Sequence, residues 1–506
     1  MSRSLLLALL LLPAAAARAG DPAVDKYRRF YSDEISGKYE SEKLSDQRVV
    51  MLRGFEKHDV SEASQWLIER LSKEDAGDAI REIVRVLGTY NSPENREAMV
   101  NLYPTIKRWE TRVLLLGAFG RMKSEEASKP IALGLKDANP RVAAAACRAV
   151  RLRPAFRADL EALAAKAKSS AVRAAALRAL GDLGVDEALP VVFRVFCGDA
   201  SPRVRYDAWL ALKELSGKEF ACDPKAWKEF WKESSDAAPE GAVNPWGVMF
   251  PTVNPKAGSP GNCFKIPVLG ERVCFVLDNN GHMTTPWKID PKAEKDKPPE
   301  ERIPNFFNVK TRWSLARAYV MQCLEQAPEE MEVAFVFFNA EPKPWPETGK
   351  FMRNTTKNRE LIRTQLETGV ELKSVTAMYE ALAAGWGFVK GGLDANFDRG
   401  ADTIVFVTNG RPSDGEMANK PERIRDEAWL VATLQNVRFE TVGIHNHQYD
   451  LLQAMARDSG GLYVHFQQVG DVGEPQDLEF WPAKKKAWEA ARKAQKKAGT
   501  GEQGSG

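Results

Sequence analysis

The stretch Arg272-Val273-Cys274-Phe275-Val276-Leu277-Asp278-Asn279-Asn280-Gly281-His282-Met283 decides how the second half of the chain is read. Val273 to Leu277 is apolar without alternation. A strand with one wet face alternates, whereas a continuous run suits a strand covered on both faces. The run stops at Asp278, and Asn and Gly then mark a turn. The same pattern recurs at Val333 to Phe338 and Ile404 to Val407, with strands also predicted at Phe439 to Ile444 and Leu462 to Phe466. Between them, Thr311 to Leu324, Leu361 to Leu366, Ala377 to Phe388, Glu422 to Gln435 and Leu451 to Ser459 read as helices. Strands alternating with helices predict a parallel sheet with helices on both faces.

Three turns carry a more specific resemblance. Phe275 to Met283 is similar to the strand and loop that open a von Willebrand factor A domain, where the family pattern is Asp-x-Ser-x-Ser-Met. Val375-Thr376-Ala377-Met378-Tyr379-Glu380-Ala381-Leu382 resembles the family's Thr-bearing segment, and Val407-Thr408-Asn409-Gly410-Arg411-Pro412 its Thr-Asp-Gly turn. The resemblance covers residues 264–470 and implies an α/β doubly wound, mostly parallel sheet. It implies further that the three turns meet at the C-terminal edge of the sheet, where open α/β sheets place ligands. There the family holds a divalent cation through hydroxyls and carboxylates, with one position left for a partner's carboxylate.

Carried over residue by residue, Asp278 and Thr376 match the family's metal-site positions. Asn280 and His282 stand where the family has Ser, and Asn409 where it has the second Asp. One carboxylate in place of two weakens the field on a hard dication, and imidazole nitrogen suits Zn, Ni, Cu or Fe better than Mg. The resemblance thus implies a degenerate metal-ion-dependent adhesion site that binds Mg poorly or not at all. A transition-metal site built from Asp278, His282 and one of His445 or His447 is the alternative. Against it stands the usual fate of loop histidines, which are solvated or cap helices.

The first half has a different grammar. Apolar reference positions 49, 80, 113, 142, 172 and 204 are separated by 31, 33, 29, 30 and 32 residues. The unit is clearest where Asn139-Pro140-Arg141 opens a helix, since Pro is favoured in a first turn. Val142, Ala145, Ala146 and Val150 then form one stripe, and Val172, Ala175, Ala176 and Leu180 repeat it. Gly181 to Gly184 are expected to break that helix before a second one at Glu187 to Val195. Neither helix buries its stripe alone, so neighbours must stack into an α-solenoid. Residues 40–220 resemble HEAT-type repeats of the short bacterial kind. Arg141, Arg173 and Arg203 either brace the turns between repeats or line a groove for a partner. Trp227 and Trp231, at i and i+4, read as a cap over the last repeat.

This gives a domain plan of a signal peptide at 1–19, helical repeats with their cap at 20–232, a Pro- and Ser-bearing linker at 233–263, the A-like domain at 264–470 and a basic tail at 471–506. Arg3, the apolar run Leu5 to Leu12 and Ala17-Arg18-Ala19 have the layout of a cleaved export signal. The run is shorter than the ~20 residues a membrane span needs. No transmembrane segment is predicted, and the mature protein is expected in the periplasm, outside the cell or at the envelope. The insertion Pro286 to Lys310 reads as a polar, disordered surface loop beside the metal edge, with a lid or recognition loop as the alternative. Lys484 to Lys497 reads as a solvated basic helix end, with weak contact to anionic envelope polymers or lipid as the alternative.

Composition narrows the function. Among 506 residues, 72 Lys and Arg face 69 Asp and Glu, a net charge of +3, which argues against a nucleic-acid partner. Six Cys and five His are too few for a disulfide scaffold or a zinc-cluster protein. Cys147 and Cys274 sit in apolar runs and read as buried thiols, and Cys263 with Cys274 is the pair offered for a bridge. No catalytic motif such as His-Glu-x-x-His, a P-loop or a Gly-x-Ser-x-Gly elbow occurs. The resulting expectation is an exported, non-enzymatic interaction protein with a protein partner and no confident cofactor. A metal-binding protein or metal-dependent enzyme at Asp278, His282, His445 and His447 is the alternative.

Overall fold

The computed structural model describes residues 22, 24, 26, 28, 43–74, 77–151, 153–236, 260–368, 375–388, 397, 399–445 and 447–466. The expectations for residues 1–19 and 471–506 lie outside them, as do linker residues 237–259. The chain divides into two compact units, 1–130 and 131–506.

The first unit contains α1 (Lys43–Gly54), α2 (Ser61–Leu71), α3 (Gly77–Thr89), α4 (Pro93–Leu102) and α5 (Trp109–Arg121). Ile80, Ile83, Val84 and Leu87 bury the apolar stripe of α3. Asp59, in the turn before α2, reaches the start of α4, accepting from the backbone N–H groups of Asn91 and Ser92 at 2.6 Å each and from Asn95 Nδ2 at 2.8 Å. One carboxylate thereby satisfies helix-start donors roughly one repeat period away.

The second unit begins with α6 (Pro140–Val150), α7 (Arg157–Lys166), α8 (Ser170–Leu183), α9 (Leu189–Gly198), α10 (Pro202–Ser216) and α11 (Pro224–Asp236). Asn139 caps α6 and Ser201 caps α10, each just before a Pro in the first turn. Gly184, at φ +65°, ends α8. Gly181 instead lies inside that helix, which corrects the expected break between the two glycines. A Cβ on Gly181 would sit 3.1 Å from Ala211 Cα, so its bare backbone is what lets α8 and α10 approach. Trp227 and Trp231 of α11 are buried against Phe193 of α9, with ring centroids 5.8 and 4.5 Å away.

A seven-stranded sheet follows a short hairpin of β1 (Gly261–Cys263) and β2 (Ile266–Val268). Its strands are β3 (Arg272–Asp278), β4 (Glu332–Phe338), β5 (Pro342–Trp345), β6 (Met352–Arg353), β7 (Thr403–Thr408), β8 (Arg438–Ile444) and β9 (Tyr463–Phe466). The order is β5-β4-β3-β7-β8-β9, with β6 paired to β4. β3, β4, β7, β8 and β9 run parallel and β5 antiparallel. The chain starts in the middle, builds outward to one side and then to the other. It therefore has a topological switch point between β3 and β7. Along β3, Val273, Phe275 and Leu277 enter one core with α13 (Arg312–Gln326) and α14 (Thr356–Thr368), while Cys274 and Val276 enter the other. That second core is covered by α15 (Met378–Trp386), α16 (Pro421–Gln435) and α17 (Tyr449–Ser459). This is the doubly wound, mostly parallel arrangement that the apolar runs predicted.

Two expectations fail here. The insertion 286–310 is packed, because Trp287, Ile303 and Val309 enter the β3 core. It also contains the short helix α12 (Pro291–Asp296), whose Glu294 is buried, accepts from Ile303 N–H at 2.5 Å and pairs with Lys297 at 3.0 Å. Lys288, Asp290, Lys292, Lys295 and Asp296 stay outside, while Glu294 and three widely spaced apolar residues anchor the insertion. The Cys263–Cys274 pair also fails, since these thiols lie in different cores. Cys263 instead adjoins Cys323 of α13, in hydrogen-bond contact, and both are buried free thiols.

Candidate functional site at the switch point

β3 and β7 end side by side, so Asp278 and Thr408 meet at their C-terminal tips. Asp278 is fully buried. Its Oδ1 accepts from Asn280 N–H at 2.9 Å. Its Oδ2 accepts from Thr408 Oγ1 at 2.6 Å, from Asn280 Nδ2 at 2.9 Å and from Asn409 N–H at 3.3 Å. Burial pushes the carboxyl up to about 6, against the opposing pull of the Thr408 hydroxyl and the two backbone N–H groups.

The Thr376 segment reaches the same point. Ala377 N–H donates to Asn339 O beyond β4, and Ser413, in the turn after β7, exchanges hydrogen bonds with the Thr376 backbone at 3.1 and 3.2 Å. Thr376 Oγ1 and Asn409 Oδ1 both accept from Asn280 Nδ2, at 3.0 and 2.9 Å. The other end of that amide, Asn280 Oδ1, accepts from His282 N–H at 2.8 Å. The amide orientation is therefore fixed, because a backbone N–H can only donate. Gly410 closes the turn. A Cβ there would stand 2.9 Å from Thr376 Oγ1 and 3.3 Å from Asn280 Nδ2.

Asp278, Asn280, Thr376 and Asn409 are thus brought together. His282 joins through its backbone only, and its side chain is exposed. These residues do not fit a divalent cation. Three oxygens converge on a nitrogen that carries hydrogens, at 2.9 to 3.0 Å, whereas Mg needs oxygens at about 2.1 Å and Ca at up to about 2.6 Å.

The histidine alternative does not assemble either. His447 Nδ1 donates to His445 O at 2.9 Å, since a carbonyl only accepts, so Nε2 accepts from the Tyr463 hydroxyl at 2.8 Å. Both ring nitrogens are engaged. Burial, with neighbouring His465 and His445, holds His447 down to about 4. Among the described residues no group of three or more His, Cys, Asp or Glu is placed to hold a metal ion.

A second polar assembly lies at the opposite, N-terminal edge of the sheet, where α6, α8 and α10 dock. Arg148 donates to Asn436 Oδ1 at 2.9 Å and to Thr433 O at 2.7 Å. Arg203 donates to Asn436 O at 2.5 Å. Asp207 lies 2.6 Å from Arg178, 3.5 Å from Arg438 and 3.9 Å from Arg203. Arg438, the first residue of β8, stacks over Tyr206 at 4.2 Å and forms an ion pair with Glu440 at 2.8 Å. Burial pushes the Glu440 carboxyl up and holds the Arg148 guanidinium down to about 10.

Of the three repeat arginines, Arg173 braces a turn by binding both oxygens of Asp199 at 2.8 and 3.1 Å. Arg141 lies over Phe397, and Arg203 reaches Asn436. Sequence reading missed Arg148, Arg178 and Asp207. Their spacing of 30 and 29 residues is the repeat period, which was the available signal.

The HEAT repeats family model matches residues 157–226. No curated protein matches the chain. Among solved structures, the chain is similar to the von Willebrand factor type A protein from Catenulispora acidiphila at 15% identity, with a TM-score of 0.29. That likeness covers 42% of this chain and 41% of the other, so the chain spans less than half of that structure's length. The repeat match and the sheet topology together describe a HEAT-like helical array joined to a von Willebrand factor A-like domain.

Proposed function

We propose that the chain is an exported, non-enzymatic interaction protein that presents the C-terminal edge of its sheet to a protein partner. The carrying observation is the division of labour between the two edges. Helices α6, α8 and α10 cover one edge of the sheet, and the other carries a pre-organised loop cluster with His282 exposed on it. The chemistry of that cluster supports binding over catalysis. Both oxygens of Asp278 accept hydrogen bonds, as do Thr376 and Asn409, and the hydroxyl held against that carboxylate, Thr408 Oγ1 at 2.6 Å, belongs to a fully buried side chain. A nucleophile and base that act on a substrate must be open to it, and this pair is closed off inside the cluster.

The test is affinity capture with the full chain, followed by titration of the purified captured protein. His282→Glu is the parallel variant, because it changes the exposed edge and leaves the buried amide network intact. Saturable binding weakened at least about tenfold by His282→Glu supports this edge as the recognition surface. Equal affinity for both proteins overturns it. Export and tail contact are read by fractionating cells that make the full chain or a chain ending at residue 483.

A further inference from the structure

We infer that the Asn280 side-chain amide occupies the place a divalent cation takes between these three turns, so that the edge is assembled by hydrogen bonds and excludes the ion. Asn280 Nδ2 is nearly equidistant from one oxygen of each turn: Asp278 Oδ2 at 2.9 Å, Thr376 Oγ1 at 3.0 Å and Asn409 Oδ1 at 2.9 Å. A cation would need to draw the same three oxygens inward. The amide group meets them with two N–H bonds, one shared between acceptors, and its carbonyl is held away by His282 N–H. Rotating the amide would set Nδ2 against that N–H, donor against donor.

The rest of the cradle agrees with an amide. An NH2 group carries partial positive charge and balances one carboxylate, not two, and the second family carboxylate is Asn409 here. Asn409 turns its oxygen to Asn280, and its own buried Nδ2 has no hydrogen-bond partner among the described residues. An Asp at that position would place a second negative charge beside Asp278 with no cation to separate them. The Gly410 backbone closes over the amide with no room for a side chain. The residues that depart from the family pattern at 280 and 409 are thus one coupled exchange of a cation and a carboxylate for two amides.

The test uses the full-length protein and Mn2+ as the probe, followed by electron paramagnetic resonance of the free ion. Wild type is expected to show no saturable binding up to about 1 mM, the weak end for extracellular cation modules. The double variant Asn280→Ser with Asn409→Asp removes the amide and supplies the second carboxylate. It is expected to bind one Mn2+ at least about tenfold tighter than wild type and to be stabilised by it. Stoichiometric sub-millimolar binding by wild type, lost in Asp278→Asn, overturns the inference, and this titration decides whether or not the double variant folds. A folded double variant as blind to Mn2+ as wild type overturns it too.

Discussion

The two edges of the sheet bury polar groups by opposite means. At the C-terminal edge, Asp278 is neutralised by near neighbours in the turns, through hydroxyl, amide and backbone donors at 2.6 to 3.3 Å. No full positive charge takes part. At the N-terminal edge, Arg178, Arg203 and Arg438 meet Asp207 and Glu440 while Arg148 bonds Asn436 and Thr433, and the three arginines other than Arg438 come from helices more than 200 residues before β8. The difference teaches what each edge can tolerate. Neutral donors leave an edge self-sufficient, so it can face outward. Buried charges require a fixed partner surface, so that edge must stay covered.

The largest expected effect tests the covered edge. Asp207 is fully buried and is the only carboxylate within 4 Å of Arg178 and Arg203 among the ion pairs of the described residues. Asp207→Ala would leave those guanidiniums and Arg438 without it, and removing one partner of a buried ion pair costs about 3–5 kcal/mol. Urea unfolding followed by tryptophan fluorescence should show that loss for the repeats and the sheet in one transition. A loss under about 1 kcal/mol would mean that the edge is solvated and open. The comparison would then collapse.

Much of this molecule was legible in its residues, and the exceptions share a cause. Val273 to Leu277 announced a two-sided strand because both cores draw apolar side chains from one run. Asp278, Thr376 and Asn409 were legible as neighbours through the resemblance of their three turns to the A-domain pattern, and the switch point explains why the ends of β3 and β7 meet. Asn280 was harder. An Asn offers an oxygen or an N–H2 group at the same reach, and only the fold, through His282 N–H, selects which end turns inward. Arg148, Arg178 and Asp207 look like solvated helix residues until their 29- and 30-residue spacing is set beside Ala-rich stripes that need a cover. Trp287, Ile303 and Val309 failed differently, being too far apart in sequence to form any periodic signal.

A second prediction concerns pH at the outward edge. His447 is buried with the rings of Tyr463, Tyr449 and His465 around it and the His445 carbonyl on its Nδ1, and burial depresses it from 6.5 to about 4. A depressed base binds fewer protons folded than unfolded. Stability from this group is therefore complete above pH 6.5 and is lost as pH falls toward 4, by about 3 kcal/mol in full. Other groups titrate in the same window, so the measurement is the difference between wild type and His447→Gln, followed by chemical denaturation from pH 7 to 4. The wild type should lose more. Parallel curves would mean that the imidazole accepts a proton in place, and that this edge carries charge after all.

The smallest effect sharpens the contrast most closely. Gly410→Ala adds one methyl group to the turn that closes over Asn280, 2.9 Å from Thr376 Oγ1 and 3.3 Å from Nδ2. Contacts that short force the turn to move, and overpacking of this kind costs about 1–3 kcal/mol. The backbone at 410 lies outside the left-handed region, so the cost reports crowding and not strain at φ. Calorimetric melting should give a loss at the low end of that range, smaller than for Asp207→Ala and insensitive to Mg2+ or chelator. A chelator-dependent difference between Gly410→Ala and wild type would place an ion under the turn. Melting unchanged from wild type would instead show that the turn is loose and the amide contacts are weaker than their lengths suggest.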